Sequence, residues 1–395
     1  MIETWRWFGP EDTITLEQIV QAGASGIVTA LDHIPTGDAW PIQDIQARKS
    51  LIESYGLEWS VVESVPLHND IKTCSGDYEQ LIENYKTSIR NLGACGITRV
   101  CYNFMPVVDW TRTNLSYDLP NRAQALRFEM TDFAAYDMFV LERPGAEESY
   151  DKNIVESAKA RFADMSQHQR DMLEQNIIAG LPGGEGSYDR DGIREAIREF
   201  TEMGESQFRK NLFRFLEAII PVAESSGVVM AIHPDDPPFS LFGLPRVVST
   251  ADDARALLEA VPSDANGLTM CAGSYGARSD NDLVGMVNEF RNSIHFVHLR
   301  NIRREADGSF YESEHLDGDN DIVGLIEALL DVEQEHQVAI PMRPDHGHAM
   351  GNEKGNDNVR PGYSYGGRMK GLAELRGVIH AVSTLKNLPK RGGVT

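Results

Sequence analysis

Metal-liking side chains recur at the ends of short apolar runs in the second half of the chain. Val229-Met230-Ala231-Ile232 runs into His233, Leu268-Thr269-Met270 into Cys271, His295-Phe296-Val297 into His298, and Ala339-Ile340-Pro341-Met342 into Arg343-Pro344-Asp345-His346. Two imidazoles, a thiolate and a carboxylate make a mixed donor set that suits Mn, Fe(II), Co, Ni or Zn, whereas Ca and Mg disfavour sulfur. Singly, each residue has an ordinary explanation: a satisfied strand-end His, a buried Cys serving as a small hydrophobe, an Asp capping a helix. Their coincidence at four successive strand ends points instead to a metal site of His233, Cys271, His298 and Asp345. His346 and His348 lie beside Asp345 as rival ligands. His346 is equally suited to carry a proton if it faces the site without binding metal.

The elements that must position these groups are strands buried on both faces, each followed by a helical pattern, as in a parallel sheet. Candidate strands are Glu3–Phe8, Gly26–Leu31, Leu57–Glu63, Arg99–Phe104, Val228–His233, Gly267–Cys271, Ile294–Arg300 and Val338–Arg343. Amphipathic helices lie between most of them. In Thr250–Val261 the apolar face is Ala254, Leu257, Leu258 and Val261, with Thr250 as N-cap. Eight strands with a helix after each predict a single α/β chain, residues 1–395, closed as a (β/α)8 TIM barrel with its chemistry at the carboxyl ends of the strands. An open doubly wound sheet is the competitor. Residues 116–203 break the rhythm, with charged helical patterns around Leu181-Pro182-Gly183-Gly184-Glu185-Gly186 and no good strand. They predict a helical insertion after strand 4 on the active-site face, serving as a lid or as an oligomer contact.

Composition narrows the partners. The 395 residues carry a formal charge of -23, which argues against nucleic acid or an anionic membrane, since phosphate recognition needs clustered Lys and Arg. No stretch is apolar for long enough to span a bilayer, and the first residues lack the pattern of a signal peptide. Four cysteines without a CxxC pair fit a reducing cytoplasm, and a homo-oligomer is the default expectation.

The other predicted strand ends supply polar groups. Trp5 and Arg6 lie on the first strand, His68 and Lys72 follow the third, and Asn103, Trp110 and Arg112 follow the fourth. Arg300 and Arg343 flank the metal-liking set, and Tyr363 and Tyr365 stand in a Gly- and Pro-rich loop after the last strand. Lys72, Arg112 and Arg300 are each able to pair with a substrate carboxylate, the arginines with bidentate geometry. Taken one at a time, they read more simply as surface charges near Pro turns. A Tyr hydroxyl in the last loop is able to shuttle a proton.

These residues, in this order, resemble the mannonate dehydratases of hexuronate degradation. The resemblance runs from Trp5-Arg6-Trp7-Phe8-Gly9-Pro10 through Tyr102-Asn103-Phe104-Met105-Pro106, Asp109-Trp110-Thr111-Arg112 and Ile232-His233-Pro234-Asp235-Asp236-Pro237-Pro238. It continues through His298-Leu299-Arg300-Asn301 and Met342-Arg343-Pro344-Asp345-His346-Gly347 to Arg360-Pro361-Gly362-Tyr363. It implies a xylose-isomerase-like barrel, a divalent metal, usually Mn(II) or Fe(II), and dehydration of D-mannonate to 2-keto-3-deoxy-D-gluconate. It also implies His233, Cys271, His298 and Asp345 as ligands and His346 and Tyr363 as acid–base residues.

That chemistry suits the residue types independently. A sugar acid must lose the barely acidic proton beside its carboxylate and the hydroxyl on the next carbon. A Lewis-acidic ion eases the first loss, and a base and an acid must handle the two protons. A metal-dependent sugar isomerase and a non-catalytic sugar-acid-binding barrel are the competing readings. The isomerase has no substrate carboxylate for the basic residues to meet, and fold alone does not separate the three.

Overall fold

The computed structural model describes residues 1–178 and 190–388; the predicted Leu181–Gly186 break lies outside them. Eight parallel strands close a barrel: β1 (Ile2–Arg6), β2 (Gly26–Thr29), β3 (Glu58–Glu63), β4 (Arg99–Tyr102), β7 (Val229–Ile232), β8 (Asn266–Cys271), β9 (Ile294–His298) and β12 (Pro341–Arg343). They neighbour one another in chain order, and the ring closes where Ile2 pairs with Pro341 and Glu3 with Met342. This settles the barrel over the open sheet.

Alternation along the strands explains why they read as apolar throughout. Val28, Val61, Cys101, Ala231 and Phe296 form a small cluster of their own. Their neighbours Ile27, Val62, Val100, Met230 and Val297 belong to the larger apolar layer shared with the helices. Successive side chains point to opposite faces, and both faces are buried. The helix Ala251–Ala260 starts as its sequence predicts, with Thr250 and Asp253 forming a capping box.

After β4 the structure departs from an all-helical expectation. β5 (Asn114–Asp118) and β6 (Gln124–Phe128) form a hairpin that joins β10 (Ile302–Arg304) and β11 (Phe310–Glu312) in an antiparallel sheet of order β10-β11-β6-β5. These strands are short, and their register is imposed from a distance, since Phe310 pairs with Phe128 and Tyr311 with Arg127. No local periodicity announces such pairing. Helices Met130–Phe139, Lys152–Asp164 and Gln167–Ile178 follow, and the helix Arg190–Ser225 is broken at Gly204, where φ is 72°. Glycine carries that left-handed conformation without steric cost.

One buried group at the amino end of the barrel makes stability depend on pH. The His295 ring packs against Gly267, where an added Cβ would stand 2.4 Å from Nε2, and that nitrogen is buried without a hydrogen-bond partner. Burial, aided by Arg99, lowers its pKa to about 4. The unfolded chain takes up this proton near pH 6.5 and the folded chain only near pH 4. Stability is therefore full above 6.5 and declines as pH falls through that window. In His295→Gln, the unfolding free energy from urea titrations should fall less between pH 6.5 and 4, by on the order of 2 kcal/mol. Parallel wild-type and variant curves would rule this out.

Candidate active site

Four neighbouring strands deliver the donor atoms. Cys271 and His298 end β8 and β9, His233 follows β7 directly, and Asp345 lies two residues past β12. His233, Cys271 and His298 present donor atoms all within 4.8 Å of one another. His233 Nε2 is 3.2 Å from His298 Nδ1, while its Nδ1 is 2.7 Å from the Pro234 carbonyl. That contact commits the Nδ1–H to the carbonyl and turns Nε2 toward the cluster. Asp345 stands at the edge, 3.7 Å from His298 Nδ1 and 4.0 Å from Cys271 Sγ. Its backbone φ of 67° is a conformation that Asp tolerates better than most residues.

Electrostatics favour a cation here. Glu63, Asp236, Glu312 and Asp345 bring four carboxylates against three guanidiniums, those of Arg112, Arg300 and Arg343. Burial opposes charge on His233, but Cys271, then Asp345 and Glu63, push its pKa up to about 9. His298, buried and facing Arg343, is pushed well below the usual histidine range. Its Nε2 is buried without a hydrogen-bond partner. A site that draws a proton onto one imidazole, and holds sulfur, nitrogen and carboxylate donors together, fits a divalent first-row ion.

Beside the donors stand His346 and Tyr363, two side chains of types able to carry a proton. His346 Nε2 is 3.3 Å from the Tyr363 hydroxyl, and its Nδ1 is 2.8 and 2.9 Å from the two Glu312 oxygens. The two loops meet closely: Gly347 N donates to the Gly362 carbonyl at 2.8 Å, and a Cβ on Gly347 would stand 2.3 Å from the Arg368 nitrogen. Burial pushes the Tyr363 hydroxyl pKa up, against the pull of Arg343, so it remains a proton donor at neutral pH. A cavity of about 310 Å³ reaches Tyr363 between Phe8, Asp12, Glu353 and Arg360.

A buried ion network backs the pair. Asp236 bonds Arg112 at 2.7 Å and Arg300 at 2.6 Å, and Glu312 bonds Arg112 at 3.2 Å and Arg300 at 3.3 Å. Burial would raise both carboxyl pKa values, but the arginines, joined by His346 at Glu312, hold them below the ordinary range. Arg300 fits because residue 273 is glycine; a Cβ there would lie 1.9 Å from Arg300 Nε. Arg343 bonds Glu63 at 2.9 Å and Asp345 at 2.8 Å.

The structure links His233, Cys271, His298, Asp345, Arg343, Arg300, His346, Tyr363 and Arg112 through these contacts. Trp110 joins them, its ring set edge-on to His346 at 6.0 Å. Arg6 lies over Phe8, which packs on Tyr363. Trp5 carries Arg368, whose guanidinium also lies over Tyr363. Lys72 is buried with Asp109 3.9 Å away. His68 caps the short helix Asn69–Thr73, and Asn103 is half-buried just past β4. Tyr365 turns away and donates to the Gln18 carbonyl at 3.0 Å. His348 faces the Glu312 carbonyl at 3.0 Å, away from the donor cluster. Glu63, Asp236 and Glu312 are absent from the sequence-predicted set. Glu63 ends β3 and obeys the same strand-end rule, Asp236 sits in the run after His233, and Glu312 carries no sequence signal.

Fold and site together define a β/α-barrel enzyme with a cysteine-containing donor cluster and a His–Tyr pair at the carboxyl mouth. The D-mannonate dehydratase (UxuA) family model matches residues 1–388. The chain is 65% identical over 392 residues to the mannonate dehydratase of Saccharophagus degradans, covering 98% of this chain and 99% of that one. It is 55% identical to mannonate dehydratase 2 of Agrobacterium fabrum, over 97% of each. Among solved structures, the mannonate dehydratase of Streptococcus suis serotype 2 superposes with a TM-score of 0.81 at 34% identity, covering 100% of this chain and 98% of that one. A D-tagatose 3-epimerase-like protein, with a TM-score of 0.51 at 13% identity over 98% of this chain and 100% of its own, shares the fold alone. The chain belongs to the D-mannonate dehydratase family and is a hydro-lyase.

Proposed function

We propose that this enzyme converts D-mannonate to 2-keto-3-deoxy-D-gluconate and water, with a divalent ion, Mn(II) or Fe(II), held by His233, Cys271, His298 and Asp345. The observation that carries the reading is the meeting of that donor set with the His346–Tyr363 pair at one barrel mouth. When bound, such an ion supplies Lewis acidity that stabilises negative charge on the substrate carboxylate and the oxygen beside it.

The chain's own residues do the rest. His346 and Tyr363 divide the two proton transfers: one takes the proton from C2, and the other protonates the 3-hydroxyl as it leaves. The C2–H and C3–O bonds break, a C2–C3 double bond forms, and the resulting enol rearranges to the 2-keto product. The 3.3 Å contact between the pair lets the proton return before the next cycle. Arg112 and Arg300 are held through their Nη atoms by Asp236 and Glu312, so they brace the site rather than reach freely for substrate. Lys72, whose nearest acid is 3.9 Å away, suits the substrate carboxylate better. Among the described residues no helix is long and apolar enough to cross a membrane, and the four cysteines are free. Both features accord with work on a small sugar acid in a reducing compartment, as a homo-oligomer by default.

The test is turnover of metal-stripped protein on D-mannonate, with Mn(II) or Fe(II) added back and the 2-keto-3-deoxy product followed. Activity should fall at least about a hundredfold on stripping and return with the ion. Folded protein that stays inactive with every divalent ion would remove the reading.

A further inference from the structure

Glu312 reaches the site from outside the barrel wall. It ends β11, in the antiparallel sheet that the segment after β4 builds with the segment after β9. Its side chain is 4% exposed, and both of its oxygens lie within 2.9 Å of His346 Nδ1. The same carboxylate is held by Arg112 and Arg300, and the backbone carbonyl of Glu312 meets His348. A carboxylate can only accept at these contacts, so the proton of a neutral His346 must sit on Nδ1. Arg300 Nη1 also lies 3.3 Å from that nitrogen, a longer contact than the 2.8 and 2.9 Å to Glu312, and it donates to Glu312 at 3.3 Å.

With Nδ1 committed, Nε2 carries the lone pair and faces the Tyr363 hydroxyl. From this geometry we infer that Glu312 is the positioning residue of the reaction: it fixes the tautomer and direction of His346, making His346 the base at C2 and leaving Tyr363 as the acid at the 3-hydroxyl. The inference rests on the dehydration reading above and adds the division of labour that reading leaves open. His346 Nε2 takes the C2 proton, the Tyr363 O–H proton leaves with the hydroxyl as water, and Nε2 then returns a proton to the Tyr363 oxygen. Glu312 takes up no proton. It keeps the imidazole in one orientation and stabilises the imidazolium while it exists, the part a buried carboxylate plays behind other catalytic histidines.

Glu312→Gln tests this in the metal-loaded enzyme with C2-protonated and C2-deuterated D-mannonate. The amide preserves shape and one acceptor but offers its NH2 to Nδ1 equally well, so the imidazole loses its enforced tautomer. The expected result is a kcat loss of roughly 10²–10⁴-fold with KM within about threefold, unchanged metal content, and a larger C2 isotope effect because proton abstraction now limits turnover. A near-normal kcat would overturn the inference. So would a lower kcat with an unchanged isotope effect, which marks a smaller active fraction rather than a slower proton transfer. If the Gln variant does not fold, Glu312→Asp, which keeps the charge but pulls it back, should show the same isotope signature with a smaller loss. Wild-type protein that fails to turn over D-mannonate in the same assay would sink the dehydration reading, independently of Glu312.

Discussion

Replacing Asp236 with Ala is expected to cost about 3–5 kcal/mol of stability, the usual toll for removing one partner of a buried ion pair. The side chains of Arg112 and Arg300 are 0% and 3% exposed, and Asp236 is their shared counter-ion. Burial would push the Asp236 carboxyl pKa up, yet the two arginines hold it far below the ordinary carboxylate value. Its stabilisation is therefore present at neutral pH and is lost as pH falls below the ordinary carboxylate range. Without Asp236, Arg112 keeps only Glu312 and Arg300 keeps Glu312 and Asp345, each at 3.2 Å or more, and Ser274 Oγ loses its 3.0 Å acceptor. By contrast, breaking the exposed Arg198–Glu195 pair should leave stability nearly unchanged, because solvent already screens those charges. Urea unfolding of both variants at pH 7 checks the contrast. A loss near that of the surface variant would mean that water compensates the arginines and that the network is not dry.

The parts of this site that were legible in the sequence share one geometric cause. A parallel barrel brings its strand ends to one mouth, so His233, Cys271 and His298 needed only their own strands to be recognised. Glu63 obeys the same rule at the end of β3, but a lone Glu among donors of nitrogen and sulfur does not stand out. Asp236 sits inside a run whose His233 draws the eye as a donor, and its contacts are with two arginines from distant loops. Glu312 was beyond reach for a different reason. Its strand has three residues and takes its place by pairing with the equally short β10, where Glu312 faces Ile302, and with β6, far earlier in the chain. β5 and β6 pair locally as a hairpin, but both are short and lie in a segment whose pattern reads as helical. Tyr363 and Tyr365 are told apart by the backbone: Gly362 turns with φ of 78°, Tyr363 meets His346, and Tyr365 starts the helix Tyr365–Leu385 with its hydroxyl on Gln18. The sequence sets the composition of such a loop, but which hydroxyl faces inward depends on one glycine's conformation.

The largest effect on activity is expected at the proton-carrying pair. His346→Asn should lower kcat by roughly 10²–10⁴-fold, the range of a general acid or base, and Tyr363→Phe should do the same. Neither change should empty the donor cluster, because neither residue is among the three side chains that crowd their donors together. Packing should survive as well. The Phe ring keeps the edge contacts that Tyr363 makes with Phe8 and His346, at 4.8 and 5.0 Å. In His346→Asn, the Glu312 carboxylate retains Arg112 and Arg300. Bound metal and melting temperature therefore serve as controls against a trivial loss. The double variant is the sharper measurement. If the two groups act in one elimination, removing the second has little left to slow, and the double variant should lie within about tenfold of the worse single one. Fully multiplicative losses would mean that the two groups contribute independently to the barrier rather than as a coupled pair. Near-normal turnover in either single variant, with metal retained, would take that residue out of the chemistry.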